Sequence, residues 1–459
     1  MSTVVRQFVR GLGLDAYVVG GAVRDELLGR PHKDEDFLVL GVDHAGLRAA
    51  LEPHGRVEDM DVHGQLVGVR LYPRDPVVRA AAPSGIELTP PRAERSTGPG
   101  HRDFEIVADA GITIEEDMGR RDFTVNALAR RLATGDLVDP FDGAADLRAR
   151  VLRAVSATSF SEDPLRILRG LRLVSQLGFD VEPETLAQMR REAGGLRYVA
   201  AERIGGGLAA DGLGELSRLL LGVEPAKALR LARDTGALVA FLPEFEEVIA
   251  YDLDSPRQPS SLDEHLVLVV QAAAEADASL AVRLAALLHD LGKPEADRLG
   301  TSHAIEGERI AAAALSRLRY PTRLRRLVTQ IVAVHAFHAE GEWDGPEARR
   351  FLAAHGDVVA CELVVHKAAD LAAKRVSQQE LAGVARLAVA LERERSSPHR
   401  LGDLAIDGSD LIAAGIPEGP ELGRILRELL ADVVDDPSSN DRATLLARAL
   451  RILGSGGIP

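Results

Sequence analysis

Three groups of residues in the 459-residue sequence have the types and spacing to do chemistry. The first is GGAVRDELLGRPHKDED (20–36), where Asp34 and Asp36 stand two apart at the start of the apolar run DFLVL. In a strand, residues i and i+2 share a face about 7 Å apart, so both carboxylates point one way and Glu35 the other. Two such carboxylates can hold a pair of divalent cations that clamp the attacking and leaving oxygens of a phosphoryl transfer. Gly20 and Gly21 remove side chains where a turn must bring backbone N–H groups close to a phosphate. Arg24, one turn into the following helix, can reach a phosphate oxygen. Glu87, in a short predicted strand after Gly85, is a candidate third carboxylate for the same cations.

The second group is SEDPLRILRGLRL (161–173). It reads as a helix with Glu162 and Asp163 at its N-terminus and Pro164 in the first turn, where proline is tolerated. Arg166, Arg169 and Arg172 follow at three-residue steps as a slowly drifting basic stripe, while Leu165, Ile167 and Leu168 occupy other angles and can pack inward. Asp163 can act simply as a cap. Paired with Arg166, it can also read a base. Cytosine and adenine each present an amino donor beside a ring-nitrogen acceptor, matching an aspartate acceptor beside an arginine donor. Uracil and guanine present the reverse order and would leave buried polar groups unpaired, at a cost large enough to exclude them.

The third group is His265, LLHDLGK (287–293) and Asp370, assembled by its resemblance to the H…HD…D pattern of the HD phosphohydrolase superfamily. Together His265, His289, Asp290 and Asp370 can form a mixed imidazole and carboxylate site for one or two transition-metal ions, with His303 and His335 as extra ligand candidates.

The elements that must position these groups change character along the chain. AYVVGG reads as a strand ending in a glycine turn, and AVRDELLG as the helix after it; DFLVLGV, QLVGVRLY and FEIVA read as further strands. Pro73 to Asp103 is rich in Pro, Gly, Ser and Arg and is expected to contain a mobile loop. From about Asp146 onward the pattern is helical, with polar breaks at 252–261 and 392–400 and a frayed SGGIP end. No internal repeat or low-complexity tract interrupts it.

Composition narrows the class. Apolar residues make up 46% of the chain, no apolar run reaches the roughly 18 residues of a membrane span, and MSTVVRQFVRGLGLD lacks the apolar core of a signal peptide. Cys361 is the only cysteine, so an intrachain disulfide and a cysteine-rich zinc site are excluded, and a reducing cytoplasm is the expected compartment. The net charge of −15 weighs against nucleic-acid binding over the whole surface. A local stripe remains available at Arg317, Arg319, Arg323, Arg325 and Arg326, which reads equally well as a solvated helix face.

Taken as a set, the motifs resemble a family. The 20–36 segment resembles the signature of the class II tRNA nucleotidyltransferase and bacterial poly(A) polymerase group, within the polymerase-β-like nucleotidyltransferases. RRDFTVNALA (120–129), DPFDGAADLRARVLR (139–153) and SEDPLRILRGLRL (161–173) resemble its second, third and fourth motifs, over roughly the first 210 residues. AERIGGGL (201–208) resembles a fifth, but Gly207 stands where an acidic residue is common. The resemblance implies an α+β fold, with a small nucleotidyltransferase head (1–139) followed by an all-helical neck and body (140–255). It implies catalysis by Asp34 and Asp36 holding Mg2+, and nucleotide binding by Gly21, Arg24, Arg121, Asp163, Arg166, Arg169 and Arg172. Asp122 and Asn126 are secondary candidates.

The stretch ELTPPRAERSTGPGHRDF (87–104), with Arg92, Glu94 and Arg95, resembles the head loop that the family uses to switch between bases; its presence argues against a CC-only enzyme. The activity implied is untemplated addition of C, C and A to the 3′ end of tRNA from CTP and ATP, with A-only addition or poly(A) synthesis as alternatives. His265, His289–Asp290 and Asp370 resemble the HD phosphohydrolase pattern. This implies a module at 256–392 that is either a metal-dependent phosphatase or phosphodiesterase, or an inactive tRNA-binding scaffold. A helical tail at 393–459 includes a segment (401–430) that resembles the family's C-terminal one. An HD phosphohydrolase with an RNA-binding head is the alternative from another class.

Overall fold

The computed structural model describes residues 2–31, 35–62, 65–96, 104–108, 110–206, 211–252, 255–258 and 260–455. The chain divides into two compact units, Met1–Pro243 and Glu244–Pro459.

The first unit is built on a seven-stranded mixed sheet of order β3-β4-β5-β2-β1-β8-β9. Its strands are β1 (Asp15–Val19), β2 (Asp36–Leu40), β3 (Gly55–Val62), β4 (Gln65–Pro73), β5 (Ile86–Thr89), β8 (Ala129–Arg131) and β9 (Leu137–Val138). A separate hairpin pairs β6 (Arg92–Ser96) with β7 (Phe104–Ala108). The central strands carry the continuous apolar runs: Val18, Val19, Phe37, Leu38, Val39 and Leu88 are all buried, as a strand covered on both faces requires. β2 lies antiparallel to β1 and parallel to β5, which sets Asp36 opposite Val19 on one side and Glu87 on the other.

Within Pro73–Asp103, where a mobile loop is expected, much of the chain is regular structure. Asp75 accepts from Val77 N (2.8 Å) and Val78 N (3.1 Å), with Pro76 next in line, and a helix forms over Pro76–Ala81. β5 then inserts between β4 and β2, and RAERS forms β6 because FEIVA is available as a partner. Residues 97–103 lie outside the described residues. β5 is the short strand expected after Gly85, whereas the polar composition of RAERS hid β6, because pairing and not its own hydrophobicity decides it.

Beyond the sheet and the β6–β7 hairpin, the regular elements among the described residues of the first unit are helices, apart from a two-residue parallel pair between Val151–Leu152 and Asp180–Val181. The helix Leu165–Leu177 runs through its core, with Leu165, Ile167, Leu168, Leu171, Leu173 and Val174 buried and Gly178 at φ +70° ending it. Gly170 lets Phe123 and Met189 approach closely: a Cβ there would lie 2.6 Å from the Phe123 ring.

The second unit is all helical. Helices Leu262–Glu275, His303–Arg317 and Asp357–Ala372 carry His265, His303 and Asp370, while His289–Asp290 and His335 follow directly on the C-terminal ends of Leu280–Leu288 and Thr322–Val334. Leu411, Ile416, Ile425, Leu429, Val433, Leu445 and Ala449 form a separate apolar cluster toward the C-terminus. Arg349 ties it to the rest by donating to Val434 O (2.6 Å), Asp435 O (3.2 Å) and Glu394 (2.6 Å). The five-arginine cluster is no single helix face, because Pro321 separates one helix ending at Arg317 from the next beginning at Thr322. Arg317 there pairs with Glu244 at 2.6 Å. Among the described residues, no helix is long and apolar enough to cross a membrane.

Candidate functional site

In the first unit, a cleft of about 630 Å³ is lined by Gly20, Gly21, Arg24, Asp36, Glu87, Arg121, Asp122, Asn126, Asp163, Arg166, Arg169 and Arg172, with Arg120 and Arg203. Residues from widely separated stretches of sequence thus share one cavity. Asp34 lies outside the described residues, so Asp36 is the member of the carboxylate pair that can be placed. It is exposed at the head of β2, in register with Glu87. Glu35 does turn elsewhere: its carboxylate accepts from Arg6 Nε at 3.0 Å and its side chain is mostly buried.

Gly20 has φ +75° and a Cβ there would lie 2.6 Å from Arg121 Nη1, so both the backbone conformation and the packing call for glycine. The next residue starts the helix Gly21–Leu27, which carries Arg24 into the cleft. A chain of polar contacts then crosses the cavity. Arg24 donates to Asn126 Oδ1 (2.8 Å), Asn126 Nδ2 donates to Asp122 Oδ1 (2.9 Å), and Arg169 Nε donates to Asp122 Oδ2 (2.7 Å). Arg172 pairs with Glu215 at 2.9 Å. The basic stripe is therefore not a row of solvated cations, since all three of its arginines have acidic partners, Arg166 pairing with Glu162 at 3.4 Å.

Arg166 is buried and donates to Arg120 O (2.8 Å) and Ser159 O (3.3 Å), which fix its guanidinium. Asp163 Oδ1 accepts from Leu165 N at 3.0 Å, and Oδ2 lies 3.6 Å from Arg203. Capping leaves the carboxylate with further acceptor positions, so capping and base reading are compatible.

Burial works against the Asp122 carboxylate, but Arg169, the Asn126 amide and the Phe123 N–H outweigh it and hold its pKa well below the usual carboxylate range. A depressed folded pKa contributes stability above the unfolded value, near about 4, and loses it as pH falls toward the folded value. Replacing Asp122 by Ala is expected to cost about 2–3 kcal/mol and to flatten the fall in melting temperature between pH 7 and pH 3. Thermal melts across that range check it.

In the second unit, His265, His289, Asp290 and Asp370 converge in the interior and all four are buried. His265 Nε2 lies 3.1 Å from Asp370 Oδ1 and 3.8 Å from Asp290 Oδ2; His289 Nε2 lies 3.2 Å from Asp290 Oδ2. His335 and His303 approach the other Asp290 oxygen at 3.4 and 3.9 Å. Ligand atoms of His265, His289 and Asp290, and separately those of Asp290, His303 and His335, cluster closely enough to hold a cation.

Among the described residues, His289 Nε2, both His265 nitrogens, both Asp290 oxygens and Asp370 Oδ1 are buried without a hydrogen bond. Buried polar atoms that meet only as close ionic contacts, without aligned hydrogen bonds, carry a desolvation cost that a bound cation would offset. Lys293 and Lys374 stand 2.6 and 2.7 Å from the two aspartates.

With both sites placed, comparison with known proteins is informative. Residues 16–153 match the poly A polymerase head domain family, 178–249 the "Probable RNA and SrmB- binding site of polymerase A", and 302–449 tRNA nucleotidyltransferase domain 2. The multifunctional CCA protein of Xanthomonas campestris pv. campestris (strain B100) is 35% identical over 463 residues, covering 95% of this chain and 99% of that protein. This chain belongs to the multifunctional CCA protein family. The member from Azoarcus sp. (strain BH72) is 38% identical over 333 residues, 71% of this chain and 74% of that one.

The fold agrees with the family assignment. The Bacillus stearothermophilus CCA-adding enzyme, solved in complex with CTP, superposes with a TM-score of 0.69 at 24% identity, covering 98% of this chain and 96% of that one. The Thermotoga maritima CCA-adding enzyme complexed with tRNA superposes at 0.56 and 21% identity, over 98% and 94%. The α+β expectation, a mixed-sheet head followed by a helical body, is met.

Some site residues of this chain were not legible in its sequence. Glu215, which holds Arg172, comes eight residues after Gly207, the position where the fifth motif lacks its acid. The available signal was an acid heading an amphipathic helix, Glu215–Leu220, with Leu216, Leu219 and Leu220 buried. His366 was also missed: it is buried, neither ring nitrogen has a hydrogen bond, and its ring sits 4.9 Å from that of His289.

Proposed function

We propose that this protein adds C, C and A to the 3′ end of tRNA from CTP and ATP, by nucleotidyl transfer in the first-unit cleft. The observation that carries the reading is the convergence of Asp36, the Gly20–Gly21 turn, Arg24 and Arg121 with Asp163 and Arg166 around one cavity. The Asp36 carboxylate is a hard oxygen donor at the head of β2, of the kind Mg2+ takes, while Glu87 on the adjacent strand pairs with Arg70; we assign the metal to Asp34 and Asp36. When bound there, it would neutralise the triphosphate and stabilise the attacking and leaving oxygens.

The chain's own residues do the rest. Gly20 and Gly21 let backbone amides approach the phosphates, and Arg24 and Arg121 supply positive charge. Arg169 and Arg172, fixed by Asp122 and Glu215, complete the nucleotide wall. Asp163 accepts from the amino group of C or A while Arg166, pinned by two carbonyls, donates to the ring nitrogen. Base choice follows from donor order, with no nucleic-acid template.

Arg166→Ala is expected to relax discrimination against UTP and GTP by about 100-fold or more while slowing CTP addition less. Single-turnover incorporation of each nucleotide tests this, and full discrimination in the variant would sink the protein-template reading.

We further propose a second activity in the second unit, supported by the buried cluster of histidine and aspartate ligand atoms. These ligands suit a transition-metal ion, and the reaction class is hydrolysis of a terminal 2′,3′-cyclic or 3′-phosphate that blocks extension. Under this reading residues 1–139 form the head, 140–255 the neck and body, 256–392 the phosphohydrolase module and 393–459 the tail. A tRNA substrate places the work in the cytoplasm.

A further inference from the structure

A second cleft in the first unit, of about 500 Å³, is lined by Gly55, Arg56, Tyr72, Arg74 and Arg79. It lies at the opposite end of the β3–β4 ladder from the nucleotide cleft. Met60 and Val67 line the nucleotide cleft, whereas Gly55 pairs with Pro73 at the far end. Five residues of strand separate Met60 from Gly55, roughly 16 Å.

Most arginines of this acidic chain face a carboxylate; two here do not. Arg79 donates through Nε to Pro73 O (2.9 Å) and through Nη2 to Arg74 O (3.0 Å), and Arg74 donates to Pro53 O (3.0 Å). Neither has a carboxylate partner among the described residues. The nearby Asp75 is turned to Val77 N and Val78 N. Backbone carbonyls thus hold two uncompensated guanidinium groups in place, with their remaining N–H donors available.

Beside them the Arg56 guanidinium lies 4.3 Å over the Tyr72 ring. Arg56 also pairs with Glu58, and as a charge on an edge strand it guards against unwanted pairing. That explanation does not reach Arg74 and Arg79, which follow the end of β4. Fixed guanidinium donors match phosphate oxygens in geometry, and an aromatic ring beside them accepts a stacked base.

We propose that this cleft grips phosphates of the RNA substrate away from its reactive end. The proposal rests on the RNA-substrate reading above. It makes the head a two-sided RNA contact, with chemistry at Asp36 and an electrostatic hold at Arg74 and Arg79.

The test is the salt dependence of tRNA affinity, measured by fluorescence anisotropy with the full-length protein and a transcript ending in CC. Each phosphate contact contributes about −0.9 to the slope of log K against log salt for duplex and about −0.7 for single strand. Arg74→Gln/Arg79→Gln is expected to reduce the slope by about 1.4–1.8 and to leave the rate of nucleotide addition at saturating tRNA unchanged. Arg74→Lys/Arg79→Lys, which keeps the charge, is expected to retain most of the slope. An unchanged slope in the glutamine variant overturns the proposal, as does equal loss in both variants, which would mark the carbonyl contacts as merely structural. A wild-type protein that binds no tRNA would sink the RNA reading itself, whereas normal wild-type binding with an unaltered variant slope sinks the cleft alone.

Discussion

Replacing Asp36 by Ala is expected to lower nucleotide addition by at least about 1,000-fold, the scale of several kcal/mol of lost transition-state stabilisation, with tRNA binding and melting temperature nearly unchanged. The structure explains the separation. Asp36 is exposed, and its strand is held by backbone pairing to β1 and β5 and by the burial of Phe37, Leu38 and Val39. Its carboxylate can therefore be removed without opening the core. Glu35 provides the contrast, since it faces away and pairs with Arg6. Glu35→Ala should cost stability while leaving the chemical step largely intact. Single-turnover incorporation of CTP, with tRNA affinity measured in parallel, separates the two outcomes. A substantially active Asp36→Ala variant would remove the two-carboxylate account.

The second large effect belongs to the other unit. His289→Ala/Asp290→Ala is expected to abolish hydrolysis of a 2′,3′-cyclic phosphate end, by about 1,000-fold or more if the metal is lost, while leaving nucleotide addition in place. Asp290 is the shared member of both candidate ligand groups, so its loss removes the donor common to them. A binding readout stands apart from activity: Ni2+ or Mn2+ should raise the melting temperature of the wild type by mass action and leave the variant unmoved. Retained phosphodiesterase activity in the variant would place that reaction elsewhere. Metal-dependent stabilisation without hydrolysis by the wild type would instead favour a scaffold role.

How much could be read from the sequence depended on how local each feature is. The Gly20–Gly21 turn, Arg24 and Asp36 fall within one short stretch, and strand periodicity alone separates Glu35 from its neighbours. The fourth motif was equally legible, because helix spacing fixes which residues share a side. What it could not reveal is the partner of each arginine. Asp122 lies 47 residues before Arg169 and Glu215 lies 43 after Arg172, and only tertiary packing joins them. After Pro73 the short strand around Glu87 was legible, but β6 was not, since it owes its structure to a partner strand that a local window does not contain. In the second unit the His–Asp dipeptide was visible, but His366 shows itself only when helix packing brings it against His289.

The central claim is that a protein surface, with no template, selects C and A and stops after three additions. The most direct measurement uses tRNA transcripts ending at the discriminator base, at C and at CC. Each is offered CTP, ATP or both, and products are resolved to one nucleotide. The account predicts two C additions on the first, one on the second, and a single A on the third, with extension ending at CCA. Incorporation of A alone, or tracts of A running past the CCA end, would contradict it.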